Sequence, residues 1–184
     1  MRVISGTRKG HKLKTLKGQD VRPTEDRIKE SLFNIIGQID RESIVLDAFA
    51  GSGSIGIEFL SRGARHGHFA DKSSRSIGVI RENLRHTKFL DNSTVYHMDS
   101  LDLLTILKKR NISFDYIYID PPFGQGLIHG ILEKISQVNI LKDDGKIIVE
   151  HESKLVLEER YLDFSMVDKR KYGSKTLTFY EKII

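Results

Sequence analysis

The chain has 184 residues, 39% hydrophobic and 30% charged, with a formal net charge of +5 and no cysteine. That length and composition suit one globular domain with a small appendage and exclude global disorder, while the lack of cysteine excludes disulfides, thiolate zinc sites and cysteine nucleophiles. No apolar run approaches the roughly 20 residues of a membrane-spanning helix, and residues 1–10 lack the apolar core of a secretory signal, so a cytoplasmic protein with no membrane partner is expected.

The charge is unevenly placed. Residues 1–19 hold Arg2, Arg8, Lys9, Lys12, Lys14 and Lys17 and no acid, whereas the rest of the chain holds 24 bases and 25 acids. A concentrated basic segment beside a near-neutral body is the footprint of a polyanion binder. Val3-Ile4, the Ser5-Gly6 break, and Leu13 and Leu16 among lysines predict a basic β-hairpin or extended arm. The expected division is an arm over 1–20 and a main domain over 21–184.

Thr24 after Pro23, followed by Glu25 and Asp26, predicts a helix start. Ile28, Leu32, Ile35 and Ile36 follow at helical spacing, and Gly37 ends the run. Strands and helices then alternate. Strands are predicted over 43–47, 67–71, 94–97, 116–120 and 146–150. Helices are predicted over 55–62, 74–88, 101–110 and 127–138. Two final strands, 164–170 and 176–182, flank a Tyr-Gly-Ser turn. This order predicts an α/β fold: a Rossmann-like, doubly wound, mostly parallel sheet with a C-terminal antiparallel hairpin.

The first strand runs into Asp47-Ala48-Phe49-Ala50-Gly51-Ser52-Gly53. In such a sheet ligands bind outside the carboxyl ends of the strands, beside this first turn. Gly51 and Gly53 let the backbone approach a ligand. Gly51, Gly53 and Gly56 also match the dinucleotide spacing, a weak signal alone. Asp47 opposes that reading, because its carboxylate would repel a pyrophosphate. It suits a cationic amine, such as that of S-adenosylmethionine. Asp71 ends the second strand, where an acid can accept ribose hydroxyls. Asp99 ends the third, where it can face an adenine amino group. The plainer reading is that each aspartate caps a helix.

Asp120-Pro121-Pro122-Phe123 follows an apolar strand and holds two of the chain's three prolines. Proline cannot donate in a ladder, so the strand stops and the loop stiffens. An exocyclic base amine is a poor nucleophile because its lone pair is delocalised into the ring. Asp120 can accept one of its N–H groups and the carbonyl after Pro121 the other, while Phe123 can stack on the base. Methyl transfer then needs positioning rather than a covalent intermediate. The plainer reading is a structural turn with a buried phenylalanine.

These motifs resemble class I methyltransferases that act on exocyclic amines. More narrowly, the chain resembles the RsmD-like family of ribosomal RNA guanine-N2 methyltransferases. The likeness rests on Arg2-Val3-Ile4-Ser5-Gly6, on 22–27 with Ser31-Leu32-Phe33-Asn34, on 46–58, on Ser61-Arg62-Gly63-Ala64, on Asp120–Phe123, on Glu150 and on Tyr172-Gly173. The resemblance implies S-adenosylmethionine as cofactor and a guanine N2 of 16S ribosomal RNA, free or in the small subunit, as target. It implies Asp47, Phe49, Gly51, Gly53, Asp71, Lys72, Asp99, Ser100 and Asp120 as cofactor contacts. Asp120, Pro121, Pro122 and Phe123 would meet the reacting base. Arg22, Thr24 and Arg27 join Arg2, Arg8, Lys9 and Lys12 as candidate RNA contacts.

Three alternatives stay open: an adenine-N6 or cytosine-N4 DNA methyltransferase, a catalytically silent RNA-binding module, and an oxidoreductase resting on the glycine spacing. The histidines show no metal-ligand spacing. A monomer without metal is expected.

Overall fold

The computed structural model describes residues 1–16, 23–122 and 126–183, with side chains from Asp26 onward in the first helix. Arg22 and Phe123 lie outside the described residues, and only the backbone of Thr24 is described.

Among the described residues eight strands form one sheet: β1 (Ile44–Asp47), β2 (His66–Asp71), β3 (Ser93–His97), β4 (Phe114–Ile119), β5 (Leu141–Glu152), β6 (Arg160–Tyr161), β7 (Phe164–Tyr172) and β8 (Lys175–Lys182). The α-helices among the described residues are α1 (Pro23–Ile36), α2 (Ser54–Ser61), α3 (Ser74–His86), α4 (Ser100–Lys109) and α5 (Leu127–Val138). The strand order is β3-β2-β1-β4-β5-β8-β7-β6. β1 to β5 run parallel, while β8, β7 and β6 pair antiparallel. The expected doubly wound sheet with its closing hairpin is therefore present. Chain order reverses between β1 and β4, which opens a crevice at the carboxyl ends of those strands.

The sheet carries apolar side chains on both faces. Leu46, Ile117, Ile119, Ile147 and Val149 pack towards α4 and α5. Val45, Phe69, Ile148 and Phe179 form the other core with residues of α1, α2 and α3. Gly56 sets how closely α2 approaches β2: a Cβ there would stand 2.3 Å from a ring carbon of Phe69. The helix can lie on that strand only because this position has no side chain.

Several boundaries differ from expectation. β5 begins five residues earlier than predicted, and its register with β4 jumps from Phe114–Leu141 to Tyr116–Lys146. The intervening Lys142–Gly145 stretch is an irregularity inside the strand, not a loop before it. β6, only two residues long, was not foreseen.

The N-terminal segment forms one antiparallel bridge, Arg2 with Lys12, around a 3-10 turn at Gly6–Arg8. Backbone hydrogen bonds from Val3 N to His11 O (3.0 Å), Gly10 N to Val3 O (2.9 Å) and Leu13 N to Met1 O (3.0 Å) complete it. Val3 and Leu13 are buried in the same core as α1, α2 and α3. The segment thus lies along the body as a docked hairpin.

Candidate active site

The glycine turn joins β1 to α2 at the crevice. It is tied to both flanking strands, through Ala48 N to Tyr118 O (3.0 Å) and Ala50 N to Ala70 O (2.8 Å). Gly51 and Gly53 have φ of +52° and +79°, a region glycine enters without strain. Among the described residues nothing stands within 4 Å of where a Cβ at Gly51 would be.

Asp47 is 2% exposed, and one carboxylate oxygen accepts from Gly56 N at 3.1 Å. Burial pushes its carboxyl up to about 7, against the Gly56 N–H, and the nearby Asp71 adds to the rise. Among the described residues no cation pairs with it. A buried carboxylate facing this turn, with one amide partner among the described residues, suits a cationic group.

Asp71 accepts from Gly51 N (2.9 Å) and from Ser73 N (2.8 Å), so it pins the glycine turn and shapes the start of the next loop. Ser73, not Asp71, caps α3. Lys72 is exposed beside it. Asp99 does cap α4, accepting from Leu101 N at 2.9 Å, and remains exposed. The capping reading therefore holds for one of the three aspartates. Ser100 is buried and donates to Ala48 O, bracing the turn from below. Phe49 is half-buried against the α4–α5 core. The donor set fits S-adenosylmethionine: a buried acid for the amine, a strand-end acid for the ribose, and an exposed acid on β3's loop for the base.

Asp120 follows β4 directly and is half-buried; Pro121 is buried and Pro122 exposed. Two residues earlier, Tyr118 is fully buried. Its hydroxyl donates to Glu150, which also accepts from Lys175. The Tyr118 hydroxyl is held well above its ordinary value by burial, then by Glu150, Asp120 and Asp47. Glu150 thus joins the phenol to Lys175 at the crevice, while the charges of Asp120 and Asp47 disfavour the phenolate. Tyr118 and Lys175 were not singled out from the sequence, where Glu150 entered only through the family likeness. A tyrosine, an acid and a lysine on three strands carry no local signature.

The basic segment is anchored beside this site. Glu58 of α2, 0% exposed, accepts from Ile4 N (2.8 Å) and Ser5 N (2.9 Å). It also pairs with Arg62 (2.9 Å) and with the buried Lys29 (3.5 Å). Asn83 of α3 donates to Ser52 O in the glycine turn (2.9 Å) and exchanges hydrogen bonds with Lys14 N (2.8 Å) and Lys14 O (3.0 Å). Asn83 was missed by sequence reasoning, and Glu58 entered only within the 46–58 stretch of the family likeness, with no role given to it. Arg8 Nε donates to Thr87 O (2.7 Å), and its guanidinium lies over Phe89. Its side chain therefore fastens the hairpin to the body. Arg2, Lys9, Lys12 and Arg27 are exposed.

A parallel sheet ordered β3-β2-β1-β4-β5, an antiparallel β8 inserted beside β5, and an acid-bearing glycine turn at the switch point define a class I methyltransferase. Residues 1–181 match the model of the family described as conserved hypothetical protein 95. The chain belongs to this family, the RsmD family. It is 38% identical over 182 residues to a Bacillus subtilis (strain 168) protein named putative rRNA methyltransferase YlbH, covering 99% of each chain. It is 36% identical over 153 residues to the ribosomal RNA small subunit methyltransferase D of Haemophilus influenzae, covering 83% of this chain and 79% of that one. Its fold superposes on the putative methyltransferase yhhF from Escherichia coli with a TM-score of 0.86, at 26% identity and covering 100% and 98% of the two chains.

Proposed function

We propose that the chain transfers a methyl group from S-adenosylmethionine to the exocyclic N2 of a guanine in 16S ribosomal RNA. The observation that carries this reading is the Asp120-Pro121 corner, which leaves β4 beside the strand ending in the buried Asp47. The names of the relatives, which include small-subunit ribosomal RNA methyltransferases, support the RNA substrate.

When bound, the cofactor supplies an electrophilic methyl on a sulfonium. Asp47 would hold its amine, Asp71 and Lys72 its ribose, and Asp99 and Ser100 its adenine end, with Phe49, Gly51 and Gly53 along its length. Asp120 accepts one N–H of the base amine and the Pro121 carbonyl the other, which aims the lone pair at the methyl. Phe123 stacks on the base, which must leave its own stack to reach this corner. The amine would take the methyl as its bond to sulfur breaks, and the Asp120 carboxylate would receive the proton the nitrogen sheds and pass it to solvent. Arg2, Lys9, Lys12, Arg22, Thr24 and Arg27 contact RNA, and the protein acts as a monomer in the cytoplasm.

The test is transfer of labelled methyl to small ribosomal subunits lacking the modification, with duplex DNA in parallel. Label on RNA guanine alone supports the reading; label on DNA adenine or cytosine overturns it.

A further inference from the structure

The β7–β8 hairpin carries a feature that the methyl-transfer chemistry does not use. Among the described residues β7 is covered on its outer side at Phe164 and Ser165 by the two residues of β6, and at Met166, whose N donates to Glu159 O (2.8 Å). From Asp168 to Tyr172 its outer edge has no strand partner among the described residues, and there Lys169, Arg170 and Lys171 are all exposed. Arg170 pairs with Asp168 at 3.0 Å. Lys169 and Lys171 form no ion pair among the described residues.

Register fixes where these cations stand. Arg170 lies opposite Leu177, Lys171 opposite Thr176 and Tyr172 opposite Lys175; the last two partners in turn pair with His151 and Glu152 of β5. The tip is therefore level with the carboxyl end of β5, on the same edge of the sheet as Asp120. β7 lies three interstrand spacings from β4, about 14 Å. The tip is also stiff. Ser153 N donates to Ser174 O (2.8 Å), Ser153 Oγ donates to Gly173 O (3.1 Å), and Tyr172 bonds Ser31 of α1. The N-terminal hairpin is differently placed: its tip reaches Ser61 and Thr87, at the opposite end of α2 and α3.

We infer that the Lys169–Lys171 edge of β7 is a second docking surface for RNA phosphates, flanking the reactive corner on the side away from the glycine turn. This rests on the RNA-methyltransferase reading above. Lys169 and Lys171 project from one face about 7 Å apart, as alternate residues of a strand do, and so present along one line two cations that no described acid pairs with. A stiff, unpaired, positively charged edge at the reactive end of the sheet matches a phosphate backbone entering beside a base held at Asp120. Phosphate contacts of this kind fix register without reading sequence.

The test is a salt titration of binding to full-length 16S ribosomal RNA by the wild type, by Lys169→Ala/Lys171→Ala, and by Lys108→Ala/Lys109→Ala. The last pair, exposed at the far end of α4, removes equal charge from the opposite edge. The β7 variant should lower the slope of log affinity against log salt by about two, while calorimetry shows unchanged S-adenosylmethionine binding. The α4 variant should keep the wild-type slope. A wild-type slope in the β7 variant, or an equal loss in the α4 variant, overturns the proposal. A wild type without salt-dependent RNA binding overturns the RNA reading along with it.

Discussion

Tyr118 of β4 donates its hydroxyl hydrogen bond to Glu150 of β5, joining the strand that carries Asp120 to the strand beside it. Both groups are buried, and Lys175 holds the second oxygen of Glu150 from β8. Tyr118→Phe leaves a buried carboxylate with one fewer donor. Hydrogen bonds to charged groups are worth about 1.5–3 kcal/mol, so the variant should lose that much in urea denaturation. An unchanged midpoint would mean that Glu150 does not depend on the phenol.

The raised carboxyl of Asp47 makes two pH dependences. Its folded value is about 7 against an ordinary 3.8. The folded chain therefore holds a proton that the unfolded chain lacks between those values. The stability this contributes is full below about pH 4 and is lost as pH rises through about 7. A cationic amine requires the ionised form, so affinity for S-adenosylmethionine should rise with pH up to about 7 and then level. Calorimetry from pH 5.5 to 8 checks this, and Asp47→Asn should both bind more weakly and lose the dependence. A flat affinity profile in the wild type would disconnect Asp47 from the donor.

Glu58 holds the basic hairpin to α2. Removing it leaves Lys29, whose ammonium burial already disfavours, without its carboxylate partner, and frees the amides of Ile4 and Ser5. Breaking one side of a buried pair costs about 3–5 kcal/mol. Glu58→Ala should show that loss together with faster hydrogen exchange across residues 1–16. Glu58→Gln, which keeps the acceptor for one amide, should lie between. Exchange in the hairpin equal to wild type in Glu58→Ala would place the anchor elsewhere.

The alternation of apolar runs and helix patterns made the sheet legible, because a parallel strand is buried on both faces and reads as a continuous apolar stretch. Asp47, Asp71 and Asp120 were visible because each ends or follows such a run. β5 was read short because Asp143-Asp144-Gly145 resembles a turn, yet it stays within the strand as an irregularity. β6 spans two residues, too few to show a period. Glu58 sits among Ile57, Phe59 and Leu60, and nothing local says which way it faces. Its partners, Lys29, Ile4 and Ser5, come from segments that only the fold brings together. Arg8 reads from the sequence as one of the arm's candidate RNA contacts, and its contacts with Thr87 O and Phe89 exist only in the fold.

The most direct test of the central claim is nucleoside mass spectrometry of 16S ribosomal RNA from cells lacking the chain, complemented with the wild type or with Asp120→Ala. N2-methylguanosine at one position should disappear in the deletion, return with the wild type and stay absent with Asp120→Ala, although that variant still binds RNA. Full restoration by Asp120→Ala, or a deletion that leaves every methylated guanine in place, would contradict the account.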